Sequence, residues 1–152
     1  MQSIERVYYQ PIGVVRTQFV SHGYTPPAYI ESRGSTGCVE VYSQYVEGLK
    51  DLEGFSHVVL LCHLHLSRGY ELKVVPRRDT VIRGVFATRS PRRPNPISLT
   101  VVRLLHINQD TLHVMDIDLV DGTPVLDIKP YIPLPREAGQ VRTGWLETLP
   151  DG

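Results

Sequence analysis

The chain has 152 residues, 41% of them hydrophobic and 21% charged, so it can bury one core as a single globular domain. Its 16 basic and 16 acidic residues give a formal charge of +0, which argues against a protein that holds nucleic acid by its overall charge. The first residues lack the pattern of a secretory signal and no apolar run is long enough to span a membrane, so we expect a cytoplasmic protein without membrane contact.

Short strands and long turns are predicted along the first half of the chain, because β-branched and alternating apolar residues recur between proline and glycine. The predicted elements are a strand over 7–17 with an edge or bulge near Pro11, a loop over 21–35, a strand over 37–42, one helical turn over 47–54 and a strand over 57–66. Cys38 and Cys62 have no disulfide or metal spacing, so we expect each to be a small buried hydrophobe.

The strand predicted over 57–66 carries three histidines on one face, His57, His63 and His65. A His-x-His pair on a strand can bind a metal, but no third ligand is spaced to complete the set. We therefore expect these histidines either to be satisfied by hydrogen bonds or to line a pocket, rather than to bind a metal. Residues 58–61 are apolar on both faces, which predicts a central strand covered on both sides.

Further strands separated by strong turn signals are predicted in the second half. They are strands over 71–75 and 80–86 around a basic turn at 76–78, strands over 99–107 and 112–120 around a turn at 108–110, a turn at 121–124, a strand over 125–133 and a closing segment over 143–149 with the single tryptophan, Trp145. With so little helix, the pattern predicts an all-β fold, a small closed or partly open β-barrel.

A loop too polar to be buried in a core lies between the strands predicted over 80–86 and 99–107. It contains three prolines and three arginines, which are Pro91, Pro94, Pro96, Arg89, Arg92 and Arg93. Prolines stiffen the backbone, and guanidinium groups suit carboxylates and phosphates. We interpret this segment as an anion-binding loop, and the alternative is a solvated basic turn.

A second polar feature is a row of side chains on the strand predicted over 125–133. Asp127, Lys129 and Tyr131 alternate with Leu126, Ile128 and Ile132, so the three polar groups would share one face. A carboxylate, an ammonium and a phenol together can move a proton, although a solvent-facing ladder explains them as well. From the residues alone, an enzyme acting on an anionic substrate and a nucleotide- or RNA-binding module are equally supported.

Three blocks, over 52–57, 84–97 and 118–133, separate these alternatives because they resemble the TsaA-like family. The characterised branch of that family is the tRNA threonylcarbamoyladenosine N6-methyltransferase. The resemblance runs from about residue 12 to residue 133. It implies a dimeric β-barrel that binds S-adenosylmethionine and methylates tRNA next to the anticodon, here as one domain over 1–152 without an appended C-terminal domain.

The resemblance also assigns roles to residues, position by position. Those expected near the cofactor are His65, Arg89, Ser90, Leu99, Asp118, Asp121, Gly122 and Thr123. Those expected to meet the tRNA are Arg92, Arg93 and Asn95, and those expected to catalyse are Asp127, Lys129 and Tyr131.

The chain departs from the family pattern at several places. Ser98 replaces a usual glycine, residues 25–28 replace a Pro-Arg-Gln motif that normally touches the cofactor, and 134–136 replaces a segment that often contains an acidic residue. The altered loop motivates a rival hypothesis, a protein that binds S-adenosylmethionine without transferring its methyl group. A third hypothesis is an RNA-binding barrel without cofactor, based on the cluster of arginines from Arg83 to Arg103 and on tyrosines expected to be exposed.

Overall fold

A computed structural model describes residues 5–20, 32–133 and 141–150. Its longer strands are β1 (Gly13–Arg16), β2 (Thr36–Val41), β3 (His57–His63), β6 (Ile97–Asn108), β7 (Thr111–Met115) and β8 (Pro124–Pro130). Two further strands are β4 (Lys73–Val74) and β5 (Arg83–Gly84). The helices are short 3₁₀ turns at Ser43–Leu49, Leu52–Gly54, Val85–Ala87 and Gly144–Thr148.

The six longer strands are antiparallel and close into a barrel in the spatial order β1-β2-β7-β6-β3-β8, which confirms the predicted all-β barrel. Closure pairs every one of these strands on both sides and leaves no open sheet edge in the barrel. The strands β4 and β5 form a separate two-stranded sheet. Within the described residues, no helix has both the length and the apolar character needed to cross a bilayer.

The core fills the inside of the barrel with aliphatic side chains, which alternate along the strands with outward residues. Val15, Val39, Leu60, Val102 and Leu112 are among those fully removed from solvent. The prediction that 58–61 is covered on both sides was wrong, because only its inward residues are fully buried. A barrel wall has one interior and one exterior face, so its strands alternate.

Several predicted elements proved shorter than their apolar runs. The strand predicted over 7–17 occupies only Gly13–Arg16, those over 71–75 and 80–86 shrink to two residues each, and the one over 112–120 ends at Met115. Asp116 has φ of 66°, a left-handed conformation that breaks the strand. The strand predicted over 99–107 instead begins earlier, at Ile97. Most of the loop predicted over 21–35 lies outside the described residues.

Candidate functional site

One end of the barrel brings together segments that are far apart in sequence. At that end, β3 finishes with His63 opposite Ile97, the first residue of β6. One residue earlier, Cys62 lies opposite Ser98 on β6 and Val125 on β8. The arginine-rich loop leads directly into β6, and the turn at 121–123 leads directly into β8. The register therefore places both polar segments at the same end.

Backbone and hydroxyl contacts fix the shape of the arginine loop, defined here as residues 88–96. Thr88 Oγ1 donates to the carbonyl of Val85 at 2.8 Å and accepts from the amide of Ser90 at 3.2 Å. Arg93 Nη1 donates to the carbonyls of Thr88 at 3.0 Å and Ser90 at 3.2 Å. Arg93, predicted to meet substrate, thus also braces the loop from within.

The chain that follows β3 packs along this loop. The amide of Leu64 donates to the carbonyl of Pro96 at 2.7 Å, and Ser67 Oγ donates to the carbonyl of Pro91 at 2.7 Å. His65 lies between these two anchors, in a turn rather than on the strand predicted over 57–66. It therefore does not share a strand face with the other two histidines, and it lies beside the arginine loop.

Two of the predicted tRNA-contacting residues, Arg92 and Asn95, are exposed at the surface of the loop. Arg92 Nη2 forms an ion pair with Glu71 Oε1 at 2.7 Å, and the exposed Asn95 accepts through its carbonyl from the amide of Ile97 at 2.7 Å. A cavity of about 340 Å³ opens beside them, lined by Leu66, Ser67, Arg68, Pro91 and Arg92. This cavity is a concave basic surface at the loop.

The carboxyl group of Asp118 interacts electrostatically with Arg89 of the arginine loop. Asp118 Oδ1 accepts a hydrogen bond from Thr100 Oγ1 at 3.2 Å. Burial raises the pKa of Asp118, while the hydrogen bond from Thr100 and the positive charge of Arg89 oppose that rise. Two predicted cofactor residues, Arg89 and Asp118, are therefore within electrostatic reach of each other.

A buried hydroxyl and a buried thiol adjoin this carboxyl group on the inner side of the wall. Ser98 Oγ is buried, and among the described residues it has no oxygen or nitrogen partner. Its neighbour Cys62 is also buried, and burial raises the pKa of that thiol to about 12. A contact with Ser98 opposes this rise, and the negative charge of Asp118 adds to it. The prediction that Cys62 is buried is confirmed, whereas Cys38 is only half-buried.

The turn at 121–123, also predicted to contact the cofactor, closes the barrel against β1. Asp121 Oδ1 accepts from the amide of Thr17 at 3.1 Å, and the amide of Gly122 donates to the carbonyl of Val15 at 2.8 Å. Gly122 has φ of 79°, and the buried Thr123 donates through Oγ1 to the carbonyl of Val120 at 2.6 Å. The side chain of Asp121 thus has a structural partner inside the fold.

The predicted catalytic residues lie on the outer face of the barrel. Leu61 lies between Leu99 on β6 and Asp127 on β8, so the latter two are about 10 Å apart across two strand spacings. Lys129 Nζ forms an ion pair with Asp127 Oδ2 at 2.8 Å. Leu99 faces outward, whereas Thr100, which donates to Asp118, faces inward. The predicted cofactor residues Leu99 and Asp118 therefore lie on opposite faces of β6.

Tyr131 follows β8 beside the start of β3. Its amide donates to the carbonyl of His57 at 3.1 Å, and the two rings meet edge to face with centroids 6.1 Å apart. Ile128 packs against the core as expected, but Ile132 lies beyond the strand and is exposed. Asp127 and Lys129 share the outer face, because their partners Leu61 and Val59 alternate with the buried Leu60.

Sequence reasoning missed Thr100 and Cys62 as neighbours of the site. The available signal was the alternation along β6, which places Ser98 and Thr100 on the same side of the strand. In the described part of the chain, no three His, Cys, Asp or Glu side chains are grouped as metal ligands. The segments at 25–28 and 134–136, where the chain departs from the family pattern, lie outside the described residues.

Comparison with known proteins gives consistent matches over most of the chain. A family model described as "tRNA-methyltransferase O N-terminal domain" matches residues 14–135. A Pyrococcus abyssi protein named "Probable S-adenosyl-L-methionine-binding protein" is 43% identical over 93% of this chain and 77% of its own length. The Escherichia coli tRNA (adenine(37)-N6)-methyltransferase is 34% identical over 93% of this chain and 65% of its own length.

Solved structures give the same result. A crystal structure of TrmO from Pseudomonas aeruginosa aligns with a TM-score of 0.78 and 36% sequence identity, over 97% of this chain and 66% of that one. The chain thus spans about two thirds of the length of this solved relative and of the Escherichia coli protein.

Proposed function

The chain belongs to the family of the tRNA-methyltransferase O N-terminal domain, and we propose that it transfers a methyl group from S-adenosylmethionine to N6 of an adenosine in tRNA. The observation that carries this proposal is the family match over 14–135, which includes both the arginine loop and the segment through β8. Strand register brings those two segments to one end of the barrel.

The side chains at that end suit the polar parts of S-adenosylmethionine. A guanidinium at Arg89 can hold its carboxylate, and a carboxylate at Asp118 can accept from its amino or hydroxyl groups. Ser98 Oγ is buried without an oxygen or nitrogen partner among the described residues, and the carboxyl group of Asp118 is partly desolvated; a bound polar group would relieve both costs. We include the other residues named by the family resemblance, His65, Ser90, Leu99, Asp121, Gly122 and Thr123, in the proposed cofactor site.

S-adenosylmethionine supplies the methyl group from its sulfonium. The N6 nitrogen of the substrate must lose a proton, and either the carboxylate of Asp127 or the phenolate form of Tyr131 would accept it. Lys129 holds the Asp127 carboxylate by an ion pair of 2.8 Å, and its ammonium can also stabilise a developing negative charge on a carbamoyl oxygen. Arg92, Arg93 and Asn95 would hold the tRNA at the loop surface.

We also propose a preferred substrate and an oligomeric state. The preferred substrate would be threonylcarbamoyladenosine next to the anticodon, in the cytoplasm, and the active form would be a homodimer in which residues 1–152 act as one domain. An outward apolar row on β6, which includes Ile97, Leu99 and Val101, is exposed and supports dimerisation through this face.

Methyl transfer to isolated tRNA tests the proposal. Nucleoside mass spectrometry, on tRNA with and without the threonylcarbamoyl group, should find an N6-methylated nucleoside only when enzyme and S-adenosylmethionine are both present. At saturating cofactor, Asp127→Asn or Tyr131→Phe should reduce turnover by about 100-fold or more if that residue accepts the proton. Near-native rates in both variants would exclude both residues as the base.

A second candidate is a protein that binds S-adenosylmethionine without transferring the methyl group. The name of the Pyrococcus abyssi relative, which mentions binding alone, favours it. Calorimetric binding of S-adenosylmethionine together with no methylated nucleoside from either tRNA would support this candidate over the first.

A further inference from the structure

Positive charge is concentrated in one short part of a chain that is neutral overall. Between residues 68 and 93 there are eight basic and two acidic residues, a net charge of +6. The rest of the chain must then carry a net charge of −6, because the whole chain sums to +0. Such a separation of charge creates a local field that favours a polyanionic partner.

Much of this charge lies on a hairpin that contains β4 and β5, which we call the arm and define as residues 68–86. Val74 and Val85 anchor it, since both are buried, and the amide of Val85 donates to the carbonyl of Leu72 at 2.9 Å. The arm exposes one aromatic ring near its first residue and one at its last, since Tyr70 is 59% and Phe86 75% accessible. Both rings lie toward the base of the hairpin, away from its turn.

Both acidic groups of the arm already have basic partners. Glu71 pairs with Arg92 at 2.7 Å, and Asp79 pairs with Arg83 at 2.9 Å. The remaining cations of the arm have no ion pair within the described residues; they are Arg68, Lys73, Arg77 and Arg78. Arg77 and Arg78 form the turn at the tip of the hairpin, and both residues are exposed there.

The arm continues directly into the arginine loop. The amide of Glu71 donates to the carbonyl of Arg92 at 3.1 Å, so the base of the arm and the loop share a backbone hydrogen bond as well as the ion pair. A ligand with repeating phosphates and flat bases could therefore contact the arm and the arginine loop at the same time.

Resting on the proposed function, we propose that the arm is the surface that docks the tRNA stem and loop. Arg77 and Arg78 bind backbone phosphates, and Phe86 and Tyr70 stack against unpaired bases near the loop. Phosphates give affinity without sequence preference, whereas aromatic rings suit splayed single-stranded bases. The concentration of unpaired cations favours this polyanionic occupant over a protein surface.

Salt dependence of tRNA binding tests the phosphate contacts. Replacing Arg77→Ala and Arg78→Ala together should lower the slope of log affinity against log salt by about one unit for each phosphate that the variant no longer neutralises. Affinity for S-adenosylmethionine, measured by calorimetry, should stay unchanged. The matched control is Lys50→Ala, which removes an exposed cation outside the arm and should leave both slope and affinity unchanged.

Aromatic stacking predicts a different signature. Phe86→Ala should weaken tRNA binding about ten-fold with the salt slope unchanged, because a ring releases no counterions. Phe86→Tyr should restore the affinity, since the ring is retained.

Two results would overturn the inference. If wild-type protein methylates tRNA while the arm variants keep its affinity and salt slope, the arm does not dock tRNA although the proposed function stands. If arm variants change only the oligomeric state, the arm instead contacts a second copy of the chain. A wild-type protein that neither binds nor methylates tRNA would refute the proposed function itself.

Discussion

Asp118 is the residue at which stability and function are most clearly opposed. Its carboxyl group is partly withdrawn from water, and the hydroxyl of Thr100 and the charge of Arg89 offset only part of that cost, so its pKa is raised. A raised carboxyl pKa means that the folded state holds a proton more tightly than the unfolded state. The contribution of Asp118 to stability is therefore full at low pH and is lost as pH rises through the folded-state pKa.

Replacing Asp118→Asn removes this titration while keeping an oxygen that can accept from Thr100. As pH rises from about 4 to 7, the wild type should lose stability at Asp118 whereas the variant should not. The free energy of unfolding of the variant should therefore rise relative to that of the wild type. Urea denaturation across that range measures the difference. Calorimetry should show weaker binding of S-adenosylmethionine by the same variant. A difference in unfolding free energy that is independent of pH would contradict the assigned cause of the pKa shift.

At the scale of elements, the C-terminal 3₁₀ helix holds the segment that enters the arginine loop. Trp145 Nε1 donates to the carbonyl of Ala87 at 2.9 Å, and the guanidinium carbon of Arg83 lies 5.0 Å from the Trp145 ring centroid. Arg83 is itself held by Asp79 at 2.9 Å. The helix, the arm and the segment that enters the loop are therefore joined by these polar contacts.

Trp145→Phe removes the donor to Ala87 but keeps a ring for Arg83. Losing one such hydrogen bond costs about 1 kcal/mol, so local opening near residues 85–93 should become about five-fold more frequent. Hydrogen exchange followed by mass spectrometry measures this as faster exchange in that segment. Leu146→Ala, on an exposed side chain of the same helix, is the control and should leave the exchange rate there unchanged.

At the scale of the whole molecule, closure of the barrel depends on the close approach of β1 and β2. Gly13 lies opposite Val41, and a Cβ at this position would clash with the backbone carbonyl of Glu40. Gly13→Ala should therefore lower the free energy of unfolding by about 1–3 kcal/mol, measured by urea denaturation. Gly48→Ala is the matched control, because a Cβ there meets no atom within 4 Å, and equal losses in both variants would refute the clash.

The proposed dimer face makes a separate prediction at this scale. Val101 is 38% exposed on the outside of β6, beside the half-buried Val59 of β3. Val101→Arg places a charge in this apolar row and should convert a dimer into a monomer at micromolar concentration in sedimentation experiments. Val141→Arg, on another exposed side chain, should leave the mass unchanged. Dimers of both variants would place the interface elsewhere.

The sequence by itself determined the features that depend on neighbouring residues. Alternation along 37–42 and a β-like apolar run along 99–107 predicted strands. Prolines predicted the stiff arginine loop, and the turn at 121–124 was predicted from Asp-Gly-Thr-Pro. These patterns are local, because the side-chain period of a strand and the dihedral limits of proline act within a few residues. The family resemblance came from equally local blocks of sequence.

Only the tertiary structure decided which of these segments meet. The strand order of the barrel places Asp118 beside Thr100 and within the field of Arg89, puts Leu99 on the opposite face of β6, and uses Arg93 to brace its own loop. Strand register and barrel closure set these contacts, and both depend on pairings between residues far apart in the chain. Neighbouring residues show which face a side chain takes relative to the next one, but not which strand will lie across from it.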